Sequence, residues 1–166
     1  MIHLGRVLPA AFAAVILTTA AWAGGNHKEG HYTFGEPGKE SEVTRTVEVM
    51  ATDDMTLVMD LDSIRQGETI KFVVTNTGEI LHEFSVGDTG SQRAHAKLMK
   101  KNPEMTHHDD PAAVTLEPGE TKTIVWRFSK PVQGDIVFAC QMPGHWDAGM
   151  LYKAKFERAK RTPPTA

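Results

Sequence analysis

Cysteine is almost absent from this chain: Cys140 is the single one in 166 residues. No disulfide can close within the molecule, so a cross-linked framework is excluded and the fold must rest on a buried core. The length suits one domain with a sizeable core and leaves little room for a second. Long apolar runs are missing too. The most extended one, Val7 to Ala20, falls short of the ~20 residues that cross a bilayer, and it contains Pro9. Nor does one sign of charge dominate: 21 acidic residues face 18 basic ones, for a net charge of −3. The basic residues are scattered apart from a short tail from Lys153 to Arg161, which argues against a nucleic-acid partner.

The apolar run has another reading. Arg6 supplies a positive start and Ala21-Trp22-Ala23 a small-residue cleavage site, so residues 1–23 read as a secretory signal. Export to the periplasm is expected, with no membrane insertion after cleavage. A lone thiol in an oxidising compartment then needs a reason. It can be buried and inert, pair between chains, or be held as a thiolate by a metal.

Residues 24–42 are rich in Gly, Pro, His and charge, with few aliphatic side chains, and read as a flexible arm. The folded domain is expected over 43–157, with a disordered tail over 158–166 that includes Pro163-Pro164. Inside the domain the pattern has a period of two. Val47 and Val49 oppose Thr46 and Glu48; Ile70, Phe72 and Val74 oppose Lys71 and Thr75; Ile124, Trp126 and Phe128 oppose Val125 and Arg127. Punctuated by Gly67-Glu68, Thr77-Gly78, Pro118-Gly119 and Gln133-Gly134, this predicts an all-β antiparallel sandwich or barrel. One stretch breaks the rhythm. Ser91 can cap a helix from Gln92 to Lys101, with Ala94 and Leu98 as its buried stripe and Asn102-Pro103 as its end.

The chemistry concentrates in Cys140-Gln-Met-Pro-Gly-His145-Trp-Asp-Ala-Gly-Met150, a Cys-x4-His-x4-Met spacing in one loop. Thiolate, imidazole and thioether together suit copper in a trigonal site with a long axial sulfur. A second imidazole is available at His82, in Ile80-Leu81-His82-Glu83-Phe84. Strand parity groups these residues. Cys140 continues the Ile136 and Phe138 face, Met150 shares parity with Tyr152, Ala154 and Phe156, and His82 matches Phe84 and Val86. Cysteine-protease chemistry would also use Cys and His, but no nucleophile elbow or helix start precedes Cys140.

On these residues the chain resembles a cupredoxin of the plastocyanin/azurin type over roughly 43–157, counting the histidine strand, the Thr69–Asn76 strand and the Cys-His-Met loop. The gap between Cys140 and His145 is similar to the azurin loop. Short Met-rich exported relatives implicated in copper tolerance resemble it more closely still. The resemblance implies a Greek-key β-sandwich with a short helical insertion, and one copper ion in a type 1 site. His82, Cys140 and His145 would be its equatorial ligands and Met150 its weak axial one. Two departures stand out. The azurin disulfide is missing, and Glu83 replaces the Asn that in electron carriers follows the first histidine and braces the copper loop. Such outer contacts tune a metal.

Two roles follow. One is copper tolerance or buffering with a redox-active site; the other is a soluble electron carrier. Neither calls for an enzyme, since no open coordination position and no acid/base pair is in view. A redox partner protein or copper-handling proteins are the expected partners, met by a monomer, and Met142, Pro143 and Trp146 around His145 form a candidate docking port. His95, Met99, Met105, His107, His108 and His27 are candidates for secondary copper, because thioethers and imidazoles suit Cu(I) and His95 and Met99 lie one helical turn apart. Trimming to Gly25-Asn26-His27 would create an amino-terminal Cu(II) motif.

Overall fold

Alternating side chains build the molecule. The computed structural model describes residues 32–106 and 110–159. Ten strands follow in order: β1 (Glu36–Pro37), β2 (Arg45–Thr52), β3 (Thr56–Val58), β4 (Ser63–Arg65), β5 (Thr69–Asn76), β6 (His82–Asp88), β7 (Ala113–Leu116), β8 (Thr121–Arg127), β9 (Asp135–Ala139) and β10 (Leu151–Glu157). They form two five-stranded sheets, β1-β8-β5-β2-β3 and β4-β10-β9-β6-β7. The expected β-sandwich is present, but it is not wholly antiparallel. β2 pairs with β5, and β10 with β4, in parallel, because each pair joins strands separated by a passage to another part of the fold.

The predicted inward residues fill the space between the sheets. Val47, Val49, Ile70, Phe72, Val74, Ile124, Trp126 and Phe128 are all buried. Phe72 of one sheet meets Phe84 and Phe138 of the other at ring-centroid distances of 5.6 and 5.1 Å, and these three rings tie the layers together.

The domain starts earlier than expected. Residues 32–42, assigned to a flexible arm, are packed: Phe34 is 1% exposed and stacks on Trp126 at 5.0 Å, while β1 pairs with β8. Composition hid this, because two aromatic residues, Tyr32 and Phe34, outweigh the polar residues around them. Gly35 makes the close approach possible; at φ 149° it lies so near Arg127 that a Cβ would stand 2.1 Å from the carbonyl oxygen. The signal segment, His27, the rest of the arm, His107, His108 and residues 160–166 lie outside the described residues.

Helix α1 (Thr89–Lys101) also departs from expectation. Its cap is Asp88, whose side chain accepts from the Ser91 amide at 2.7 Å while Ser91 Oγ accepts from the Asp88 amide at 2.8 Å. Starting earlier turns a different face inward. Gln92 and Met99 are buried, with His95 and Ala96 between them, whereas Leu98 is 46% exposed and Ala94 is exposed. The helix therefore docks through an amide rather than an apolar stripe. Gln92 Nε2 donates to the carbonyls of Ser85 at 3.1 Å and Val137 at 2.9 Å, and its Oε1 accepts from Gln141 at 3.0 Å. This lid buries both faces of β6.

Candidate metal centre

Three elements deliver the donors to one end of the sandwich. His82 opens β6, Cys140 follows directly on β9, and His145 sits in the turn that leads to β10. The β6–β9 pairing sets Ser85 opposite Ala139, so the start of one strand lies beside the end of the other. The backbone then closes the loop on itself. The Cys140 amide donates to the Met150 carbonyl, the Met150 amide to His145 and the His145 amide to Met142, each at 3.0 Å. Thus Met150, buried next to the left-handed Gly149, is held against both loop residues.

One donor atom from each of His82, Cys140 and His145 lies within 4.8 Å of the other two, and among the described residues this is the one group of three or more His, Cys, Asp or Glu so arranged. Cys140 Sγ is 3.2 Å from His145 Nδ1, and the imidazole centroids are 5.1 Å apart. His82 is buried, and its Nδ1 has no hydrogen-bond partner among the described residues. A buried nitrogen lone pair without a donor is costly unless something binds it. With the Cys140 sulfur and a second imidazole in the same cluster, and a thioether close by in the chain, the ring fits a soft or borderline metal ion.

Burial sets the protonation of these groups. Burial pushes the Cys140 thiol up to about 12, against the opposing pull of the Glu83 and Met142 amides. Burial, and after it the nearby His82, lower His145 below the ordinary histidine value. Without metal the site therefore holds a neutral thiol and a neutral imidazole at pH 7. The Glu83 amide donates to Cys140 Sγ at 3.3 Å, a contact that stabilises thiolate.

No family model matches the chain. It is 41% identical over 151 residues to the copper-resistant cuproprotein CopI of Rubrivivax gelatinosus, across 85% of this chain and 90% of that protein. Its identity to CopI of Vibrio cholerae is 39%, across 74% and 72%, and to CopI of Pseudomonas aeruginosa 30%, across 88% and 94%. The chain belongs to the CopI family of copper-resistant cuproproteins. Among solved structures, auracyanin from Roseiflexus castenholzii, in its dithionite-reduced form, shares the fold at TM-score 0.55 and 21% identity, over 71% of this chain and 99% of that one. Auracyanin B does so at TM-score 0.56 and 21% identity, over 76% and 96%. The sandwich is thus cupredoxin-like.

For this member of the CopI family, the structure brings together His82, Cys140 and His145 of the predicted set, and seats the buried Met150 beside them through its backbone hydrogen bonds to Cys140 and His145. The secondary set fares differently. His95 Nε2 lies 3.5 Å from Glu83 Oε1, Met99 is a buried residue of α1, and Met105 is half-buried beyond the helix. Glu83, which stands where electron carriers place the bracing Asn, thus turns its carboxylate towards α1. Asn76 ties down the turn before His82: Nδ2 donates to the Ile80 carbonyl at 2.8 Å and the Leu116 carbonyl at 3.0 Å, and Oδ1 accepts from Gly78 at 2.9 Å. Met142, Pro143 and Trp146, the candidate port, line a cavity of about 230 Å³ together with Met99 and Pro103 of the helix end.

One residue carried no sequence signal. Asp53, in the turn between β2 and β3, places Oδ1 3.0 Å from His82 Nε2 and accepts the Glu79 amide on Oδ2 at 2.7 Å. Those contacts, the Glu79 amide first and the His82 ring second, hold its carboxyl below the ordinary value.

Proposed function

We propose that the protein binds one copper ion in a type 1 site through His82, Cys140 and His145, with Met150 as a weak axial donor. It serves copper tolerance in the periplasm by holding the metal, and it turns over no substrate. The observation that carries this reading is the cluster of His82, Cys140 and His145 donor atoms within 4.8 Å of one another, with His82 Nδ1 buried and without a hydrogen-bond partner among the described residues, in a chain of the CopI family. Copper bound there supplies a one-electron Cu(I)/Cu(II) couple. The protein's part is to fix the donors beforehand: the loop hydrogen bonds and the 0% exposure of His82, Cys140 and Met150 leave little to rearrange on binding.

A second reading, a soluble electron carrier, draws on the half-buried His145 beside the exposed Pro143 and the half-buried Met142 and Trp146. Deleting the gene and challenging cells with copper separates the two. Copper sensitivity, rescued by the wild-type gene and not by Cys140→Ser, supports tolerance. Normal growth in copper, with a respiratory defect when copper is scarce, overturns it in favour of the carrier.

A further inference from the structure

The imidazole of His82 has two nitrogens with different surroundings. Nδ1 is buried without a hydrogen-bond partner among the described residues, Nε2 lies 3.0 Å from the Asp53 carboxylate, and one ring nitrogen falls within 4.8 Å of donor atoms of Cys140 and His145. Only one arrangement satisfies both sides: the proton sits on Nε2 and is donated to Asp53, leaving the Nδ1 lone pair free for the metal.

Asp53 is itself located with care. It belongs to the β2–β3 turn, and Met55 in that turn adopts a left-handed φ of 56°. One carboxylate oxygen takes the Glu79 amide at 2.7 Å while the other takes the ring. The carboxylate presses against Gly78, where a Cβ would stand 1.8 Å from Oδ1. Gly78 has no left-handed backbone to explain it, so the glycine is there for space. The Asn76 hydrogen bonds then fix the Gly78–Ile80 turn against Leu116. A carboxylate that protrudes from the β2–β3 hairpin is thus gripped by the connection that carries the chain from β5 to β6, and aimed at a buried histidine.

We propose that Asp53 is a positioning residue that orients the His82 ring and, through a charged hydrogen bond to Nε2, biases the centre towards Cu(II). This rests on the metal reading above. A carboxylate on the far side of a ligating imidazole strengthens its donation, and the more highly charged ion gains more from it. Removing such a partner lowers metal affinity by about 10–100-fold in other metal sites.

The test uses the full mature chain in three forms: wild type, Asp53→Ala and Gly78→Ala. The last keeps the carboxylate and displaces it. In metal-free protein the wild type should show a hydrogen-bonded His82 Nε2 proton by NMR, and both variants should lose it. With copper, Cu(II) dissociation constants should rise at least tenfold in Asp53→Ala, with a smaller change for Cu(I). Each tenfold difference between the two oxidation states raises the reduction potential by about 59 mV. Gly78→Ala should shift in the same direction by less. A purely structural Asp53 would weaken both oxidation states equally and leave the potential unmoved, which overturns the proposal. So does Asp53→Ala matching wild type in Cu(II) affinity. If wild type itself takes up no copper, the metal reading fails and this proposal with it, an outcome distinct from a variant that behaves like wild type.

Discussion

The backbone amide of Glu83 points at Cys140 Sγ from 3.3 Å, across two strands that the sequence separates by 57 positions. The strand that carries one imidazole therefore also supplies a donor to the thiolate. The side chain of the same residue lies on the opposite face of β6, 3.5 Å from His95 of the covering helix. Metal site and helical lid are thus two faces of one strand.

That geometry has a proton consequence. With the Cys140 thiol pushed up to about 12 and His145 held below its ordinary value, loading metal at pH 7 must expel one proton, from the sulfur. Calorimetry in buffers of different ionisation enthalpy should count one proton released per copper, and apparent Cu(II) affinity should rise about tenfold per pH unit above neutrality. No release would mean that the thiol is already ionised.

The same thiol shapes the stability of the metal-free protein. Its folded value, raised from 9.0 to about 12, means that the folded state keeps a proton the unfolded chain gives up. Stability is therefore intact below pH 9 and falls as pH rises through that window. Tyr32, also raised by burial and by Asp110, loses stability in an overlapping range. Urea midpoints of wild type and Cys140→Ser separate the two, because only the cysteine's share of the slope disappears in the variant.

Helix α1 docks through Gln92, and this sets two substitutions apart. Gln92→Ala strips partners from the Val137 carbonyl and the Gln141 amide, and it should cost about 2 kcal/mol or more in urea unfolding. Leu98→Ala, on the exposed face, should stay within about 0.5 kcal/mol. The reverse ranking would restore the Ala94 and Leu98 stripe that periodicity suggests.

Phe34→Ala tests whether the segment before β2 belongs to the domain. Loss of a buried ring stacked on Trp126 should destabilise the protein by about 3 kcal/mol. An unchanged unfolding midpoint would return residues 32–42 to the status of a loose arm.

Much of this was legible in the chain because a sandwich core writes itself at period two. Val47, Phe72 and Trp126 fall on period-two inward faces and are buried, and Cys140, His145 and Met150 announce themselves by spacing within one loop. The helix face was misread because its inward side is polar. Gln92 is satisfied by backbone carbonyls that no periodicity reveals. Asp53 was missed because its contact with His82 arises only when the β2–β3 turn closes against the chain that crosses from β5 to β6, and an aspartate in a turn has an ordinary local explanation. The early start of the domain was masked by composition, which averages over the two aromatic residues that do the packing.

The most direct check of the metal centre is a visible titration of the purified, metal-free protein with copper, run beside Cys140→Ser. An intense sulfur-to-copper charge-transfer band that grows to one equivalent in the wild type, and is missing from the variant, is the predicted result. Copper uptake without that band, or the same band in both proteins, would contradict thiolate ligation at Cys140.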